Sequence, residues 1–162
     1  MTDAQTQALT TKLLAVQAEL ADLTFDSFDE DSAWRLGSLM RERAAADALP
    51  IAIDIRLGDA PLCSIMLPGA NASNFDWARR KRNLSLLVGA SSWELSLATA
   101  LGTDIVALMG LDSRDYTPHG GCVPIRVVGV AGIVATVTVS GLPQEEDHLF
   151  AVEALKALKA GA

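Results

Sequence analysis

Positive charge is scarce in this chain. Lys and Arg number 13 against 20 Asp and Glu, a net charge of −7. A phosphate backbone or an anionic membrane rewards clustered cations, so neither nucleic acid nor a lipid surface is expected as the partner. Nowhere do 18 apolar residues follow one another, and MTDAQTQALTTK carries no basic segment leading into an apolar run. Neither membrane spanning nor export is therefore expected, and a cytoplasmic setting is. Cysteine is limited to Cys63 and Cys122. In a reducing compartment such a distant pair reads as two core thiols. Phosphate loop, nucleophile elbow and zinc tetrad are all missing, and G-x-S-x-G is absent around Ser140.

The 162 residues are half apolar, which is the size and composition of one domain with a real core. Residues 1–23 form an amphipathic helix, with Leu9, Leu13, Val16, Leu20 and Leu23 along one stripe. Three Ser-x-x-acid boxes mark further helix starts: Ser27 with Glu30, Ser73 with Asp76, and Ser91 with Glu94. The first of these helices carries Leu36, Met40 and Ala44 on one side and stops before Pro50. Strict alternation in IAIDIRL predicts a strand with Ile51, Ile53, Ile55 and Leu57 toward a core and Asp54 and Arg56 on a wetter face. LCSIMLP from Leu62 is its hairpin partner. Helices over 75–88 and 92–101 follow, and residues 104–110 hold a possible short strand. Val123–Val128 and Ile133–Val139 are β-branched runs that form a second hairpin, with Pro124 at a strand start. Pro143 then opens a helix with Glu145, Glu146 and Asp147 in its first turn, and Leu149, Val152, Leu155 and Leu158 on its buried side. The order predicts an α+β fold, an antiparallel sheet of four to five strands covered by helices.

Reactive residue types concentrate between Asp115 and His148. These 34 residues hold both histidines, five of the twelve glycines and one of the two cysteines. His119 precedes Gly120 and Gly121, where a backbone without side chains lets a ligand approach and accept amide hydrogen bonds. The other reading of His119 is a loop histidine that fixes its turn. His148 follows Asp147, which can orient the imidazole, or each can serve packing and the helix dipole alone. If the two ends of the segment converge, His119 and His148 meet. Cys122 with the histidines offers nitrogen and sulfur donors to a transition metal, but at no standard ligand spacing.

Arg79, Arg80, Lys81 and Arg82 occupy successive helical positions about 100° apart, so at least one enters a crowded face. A cation held there needs a carboxylate or an anionic ligand. Asp54, Asp115 and Asp147 are the candidates for an ion pair. The alternative is that Lys81, with the Gly120 and Gly121 amides, receives the carboxylate of a ligand.

His119-Gly120-Gly121 leading through Val123, Pro124 and Ile125 into a hairpin that ends Val139-Ser140-Gly141, with Asp147 beyond, resembles a known superfamily. It is similar to the GlcG/HbpS-like heme-binding or heme-degrading family, which includes the C-terminal domain of PduO. The resemblance covers residues 25–158, the core of a single domain. It is strongest toward the branch with D-Y-x-x-H-G-G, here Asp115 to Gly121, and S-G-L-x-x-x-x-D-H, here Ser140 to His148. It implies a profilin-like fold, a symmetric homo-oligomer, and heme as a possible cofactor. The expected ligand pocket gathers Lys81, Tyr116, His119, Gly120, Gly121, Asp147 and His148, with His119 as the metal-ligating residue. Three functions follow from this reading: binding or sensing of heme or a related anionic cofactor, an enzyme acting on a small carboxylate-bearing metabolite with His119 as acid/base, and an oligomeric scaffold for a partner protein.

Overall fold

A computed structural model describes residues 1–161. The elements run α1 (Asp3–Ala21), β1 (Thr24–Phe25), α2 (Glu30–Ala46), β2 (Ala52–Leu57), β3 (Ala60–Met66), α3 (Ala72–Val88), α4 (Ser92–Ala100), α5 (Ile105–Leu108), β4 (Cys122–Val127), β5 (Ala135–Ser140) and α6 (Gln144–Lys159). This is the expected α+β, profilin-like architecture, with a five-stranded sheet in the order β1-β4-β5-β2-β3. Every pairing is antiparallel except the outermost, where Thr24 and Phe25 run parallel to Arg126 and Val127.

Alternation along the strands sorts the two faces of the sheet. Ile53 and Ile55 of β2, Val123 and Ile125 of β4, and Val137 and Val139 of β5 point toward α2 and α6, where they meet Leu36, Met40, Val152 and Leu155 in the main core. The other face is polar, and α3 covers it. Strand register places Ser64, Asp54, Thr138 and Cys122 in one row across β3, β2, β5 and β4. The face expected to be wetter is thus an interior layer, with Asp54 only 3% exposed. Its carboxylate accepts from the Ser64 hydroxyl and the Arg56 guanidinium, both at 2.6 Å. Burying that charge is tolerable because it is bonded on two sides, and Arg82 approaches it from α3.

Helix α1 reaches this core only through Leu20 near its C-terminus. Its seam of Leu9, Leu13, Val16 and Leu20 packs on Trp93 and Leu97 of α4 as a separate cluster.

Several local expectations are corrected. Helix α2 is capped by Asp29, whose Oδ1 accepts from the Ser32 amide and hydroxyl, in place of Ser27. Helix α3 begins earlier than Ser73 and Asp76 predicted, at a box formed by Asn71 and Asn74. Only the Ser91 and Glu94 box forms as expected. Residues 105–108 are a turn of helix capped by Asp104, where the sequence pattern suggested a strand. Leu57 and Leu149, expected to face a core, are each 46% exposed.

Candidate functional site

The α6 N-terminus builds the centre of the site. Its N-cap is Pro143, which has no capping side chain and no amide of its own. Asp147, one turn in, fills the gap: its Oδ1 accepts from the Leu142 amide at 3.0 Å, tying the turn after β5 to the helix. Its Oδ2 accepts from Lys81 Nζ at 2.8 Å, and the same ammonium donates to the Val139 carbonyl at 3.0 Å. Both partners are buried, Lys81 at 3% and Asp147 at 1% exposure. Burial pushes the Lys81 ammonium down and the Asp147 carboxyl up from their ordinary values, and their mutual attraction opposes both shifts.

The two glycines after His119 serve this centre from behind. Gly121 has φ +129, and a Cβ there would overlap the Val139 carbonyl and stand 2.8 Å from Lys81 Nζ. A Cβ on Gly120 would run into the Gln144 carbonyl and lie 3.1 Å from the Trp93 ring. The Gly120 amide donates to Gln144 Oε1 at 3.2 Å, and that oxygen also accepts from the Ser96 hydroxyl at 2.8 Å. The H-G-G spacing is therefore explained by close approach to Lys81 and α6.

His119 stands at the edge, exposed, its ring edge-on to Trp77 with centroids 5.0 Å apart. Arg80 lies over the same indole at 3.9 Å. The Thr117 hydroxyl is 2.6 Å from His119 Nδ1. Burial, then the nearby Lys81 and Arg80 charges, lower the His119 pKa, which favours the uncharged imidazole. In the tautomer with Nδ1–H donating to Thr117, the Nε2 lone pair is free to ligate or to accept a proton.

Trp77, Lys81, His119, Ser140, Gln144 and Asp147 line a cavity of about 370 Å³. Three expected site residues meet there: Lys81, His119 and Asp147. The other four lie outside its lining. Tyr116 sits in a loop clamped to α3, where the Asp115 carboxylate accepts from Arg79 at 2.8 Å and the Asp115 carbonyl from Asn83 at 3.0 Å. His148 is 1% exposed, 6.4 Å from the Trp93 ring, and neither ring nitrogen has a hydrogen-bond partner among the described residues. Burial drives its pKa down to about 4. The two ends of the segment do converge, through Gly120 on Gln144 and Gly121 beside Asp147, yet the two histidines face different surroundings. Asp147 turns to Lys81 and leaves the His148 ring unoriented.

Thr117, Gln144, Asn74 and Trp77 take part without having been singled out as site residues. Thr117 alone gave a signal, as a hydroxyl two residues before a loop histidine. Cys63 and Cys122 are free, buried thiols. Among the described residues, no three His, Cys, Asp or Glu side chains are grouped to hold a metal ion, and no helix is long and apolar enough to cross a membrane.

Comparison with known proteins agrees with this architecture. A family model described as "Haem degrading protein HbpS-like" matches residues 28–156. A UPF0303 protein of Rhizobium etli is 47% identical over 133 residues, 82% of this chain and 80% of the relative. One from Azotobacter vinelandii is 46% identical over 136 residues, 83% of this chain and 81% of its own. Among solved structures, the Ybr137w protein superposes with a TM-score of 0.82 at 30% identity, covering 91% of this chain and 87% of that one. A PduOC:heme complex superposes at 0.68 and 19% identity, covering 81% and 94%. At that identity the second likeness speaks for the fold alone. From the match over residues 28–156 and relatives at this identity, the chain belongs to the HbpS-like family.

Proposed function

We propose that the protein binds a carboxylate-bearing ligand in the cavity between α3, the Thr117–Gly121 loop and the start of α6, and that heme or a related iron-bearing cofactor is that ligand. The observation that carries this reading is the state of Lys81. Two of its three N–H groups are bonded to Val139 and Asp147, which leaves one for a ligand in a cavity the residue itself lines. At the rim, the surroundings of His119 favour the uncharged imidazole and the Thr117 hydroxyl meets its Nδ1, which suits a histidine that ligates iron through Nε2. These residues suit a group that carries both a carboxylate and a metal. Family membership and a fold neighbour that holds heme support the same choice. Bound heme supplies an iron centre, while the chain supplies the Lys81 donor, the His119 nitrogen and the Trp77 wall.

The cavity volume favours a second reading. At about 370 Å³ it lies near the small end of ligand pockets, which span roughly 300–1,000 Å³. A small carboxylate-bearing metabolite fills it, with His119 as the acid/base group of an enzyme. We propose further that the chain self-associates as a homo-oligomer and works in a reducing cytoplasm, in keeping with its two free thiols.

Hemin titration of the purified protein tests the primary reading. A saturable Soret shift at micromolar hemin is expected, weakened in His119→Ala. Absence of a shift overturns the heme assignment, and a shift that His119→Ala leaves unchanged removes His119 from it. Thermal stabilisation by small mono- and dicarboxylates without any hemin response favours the metabolite reading.

A further inference from the structure

Two amide side chains that line the cavity beside α3 have their oxygens bonded to the chain itself. Asn74 Oδ1 accepts from the Asn71 amide at 2.8 Å, and Gln144 Oε1 accepts from the Gly120 amide at 3.2 Å. A backbone N–H only donates, so each side chain is fixed with its oxygen toward the chain and its NH2 group left over. Among the described residues, neither NH2 group has a hydrogen-bond partner.

The floor adds two more donors. Ser140 ends β5 on the sheet face that α3 covers, is 4% exposed, and its hydroxyl has no hydrogen-bond partner among the described residues. Lys81 keeps one N–H after Val139 and Asp147. Acceptors are fewer. Both Asp147 oxygens are taken, by Lys81 and the Leu142 amide, which leaves His119 Nε2 at the rim. Because the Lys81 and Asp147 charges cancel as a pair, a ligand with one negative charge and further acceptor oxygens matches this lining.

Spacing along α3 adds a shape. Asn74, Trp77 and Lys81 fall at i, i+3 and i+7, a single stripe about two turns long. Donors stand at its two ends and the apolar ring lies between them. We propose that the cavity selects a small monocarboxylic acid carrying an uncharged carbonyl away from its carboxylate. The carboxylate meets Lys81 and Ser140, the carbon chain lies against Trp77, the carbonyl oxygen accepts from Asn74, and Gln144 is a further donor on the α6 side. This rests on the carboxylate reading above, in the small-acid form that the cavity volume favours, and adds Asn74, Ser140 and Gln144 as the residues that set specificity.

Three acids that differ only at C4 test it: 4-oxopentanoate, pentanoate and 4-aminopentanoate, each titrated against the purified full chain by ligand-observed NMR. The oxo acid should bind about tenfold more tightly than pentanoate, and the amino analogue, whose ammonium faces N–H donors, most weakly. Asn74→Asp keeps the oxygen that accepts from the Asn71 amide but puts a second acceptor in place of the NH2 group. Melting temperature should hold while the order inverts and 4-aminopentanoate binds best. Ser140→Ala should weaken all three by a common factor, and unchanged binding there removes Ser140 from the carboxylate end. Should the three acids bind wild type equally, or Asn74→Asp leave their order as it was, the donor lining does not select the ligand and this inference falls while carboxylate binding stands. If none of the three binds, the small-acid reading and this inference fall together.

Discussion

Gly121 lies where a Cβ would stand 2.8 Å from the Lys81 ammonium, so the loop glycine and the buried cation are fitted to each other. The same Cβ would overlap the Val139 carbonyl, which accepts from that ammonium, and the glycine's φ of +129 is strained for any L side chain. Gly121→Ala therefore combines backbone strain with displacement of a buried ion pair. A loss of about 2–4 kcal/mol is expected in chemical denaturation, together with weakened ligand binding. Gly132→Ala serves as the control: it has φ +89 but open space around it, and should cost less. Equal losses in the two variants would reduce the role of Gly121 to backbone conformation.

The Lys81 and Asp147 pair makes a second prediction, because breaking and replacing a buried pair differ in sign. Lys81→Met leaves the Asp147 carboxylate buried with only backbone amides, and should destabilise by about 3–5 kcal/mol. Lys81→Met combined with Asp147→Leu removes both charges and should recover much of that loss, at the expense of the Leu142 amide bond. Denaturation midpoints of the two singles and the double give the coupling. Additive losses would show that the pair is not what holds α6 to α3.

Much of this framework was legible from spacing. Ile51, Ile53 and Ile55 alternate into the core as predicted, and the crowding of Arg79 to Arg82 called for carboxylates or an anionic ligand. Asp54, Asp115 and Asp147, named for that role, receive Arg82, Arg79 and Lys81 respectively. What escaped is what tertiary contact creates. Thr24 and Phe25 are too short to show a period and become a strand only by lying along Arg126 and Val127. Asp29 and Asn71 displace the serines expected as caps because a carboxylate or amide oxygen reached the free amides there, bonding Ser32 and Ser73. For His119 and His148 alike the sequence leaves a ligand role and a structural role open. Tertiary packing separates them, with His148 buried beside Trp93 and His119 at the rim beside Trp77.

Thr117 offers a test of ring orientation at the rim. Its hydroxyl is 2.6 Å from His119 Nδ1, and Thr117 itself is 5% exposed with its amide donating to the Arg80 carbonyl. Thr117→Val keeps the shape and removes the hydroxyl. Groups that orient a ligating histidine are worth about 10–100-fold in affinity. Hemin affinity should fall by about tenfold with little change in melting temperature, and Thr117→Ser should restore it. Unchanged affinity in Thr117→Val would remove this hydroxyl from the site.

His148 carries the clearest pH prediction. Its folded pKa, about 4, lies below the ordinary 6.5 because burial disfavours the imidazolium. The unfolded chain then binds a proton that the folded one refuses, so the contribution is complete above pH 6.5 and is lost as pH falls from there toward 4. The size is on the order of 3 kcal/mol for a shift of this order. The charged groups that bear on the ring are Glu19 of α1 and Glu145 of α6, both favouring protonation, and Lys12 of α1 lies over the adjacent Trp93. His119 titrates in the same direction but is exposed and contributes less. Melting temperature should therefore decline across pH 6.5 to 4, and His148→Leu should flatten that decline while His119→Ala leaves most of it. Since the ring lies beside Trp93, on which α1 packs, hydrogen exchange in α1 should rise over the same interval before the main core opens. A pH profile that His148→Leu does not change would place the titration elsewhere.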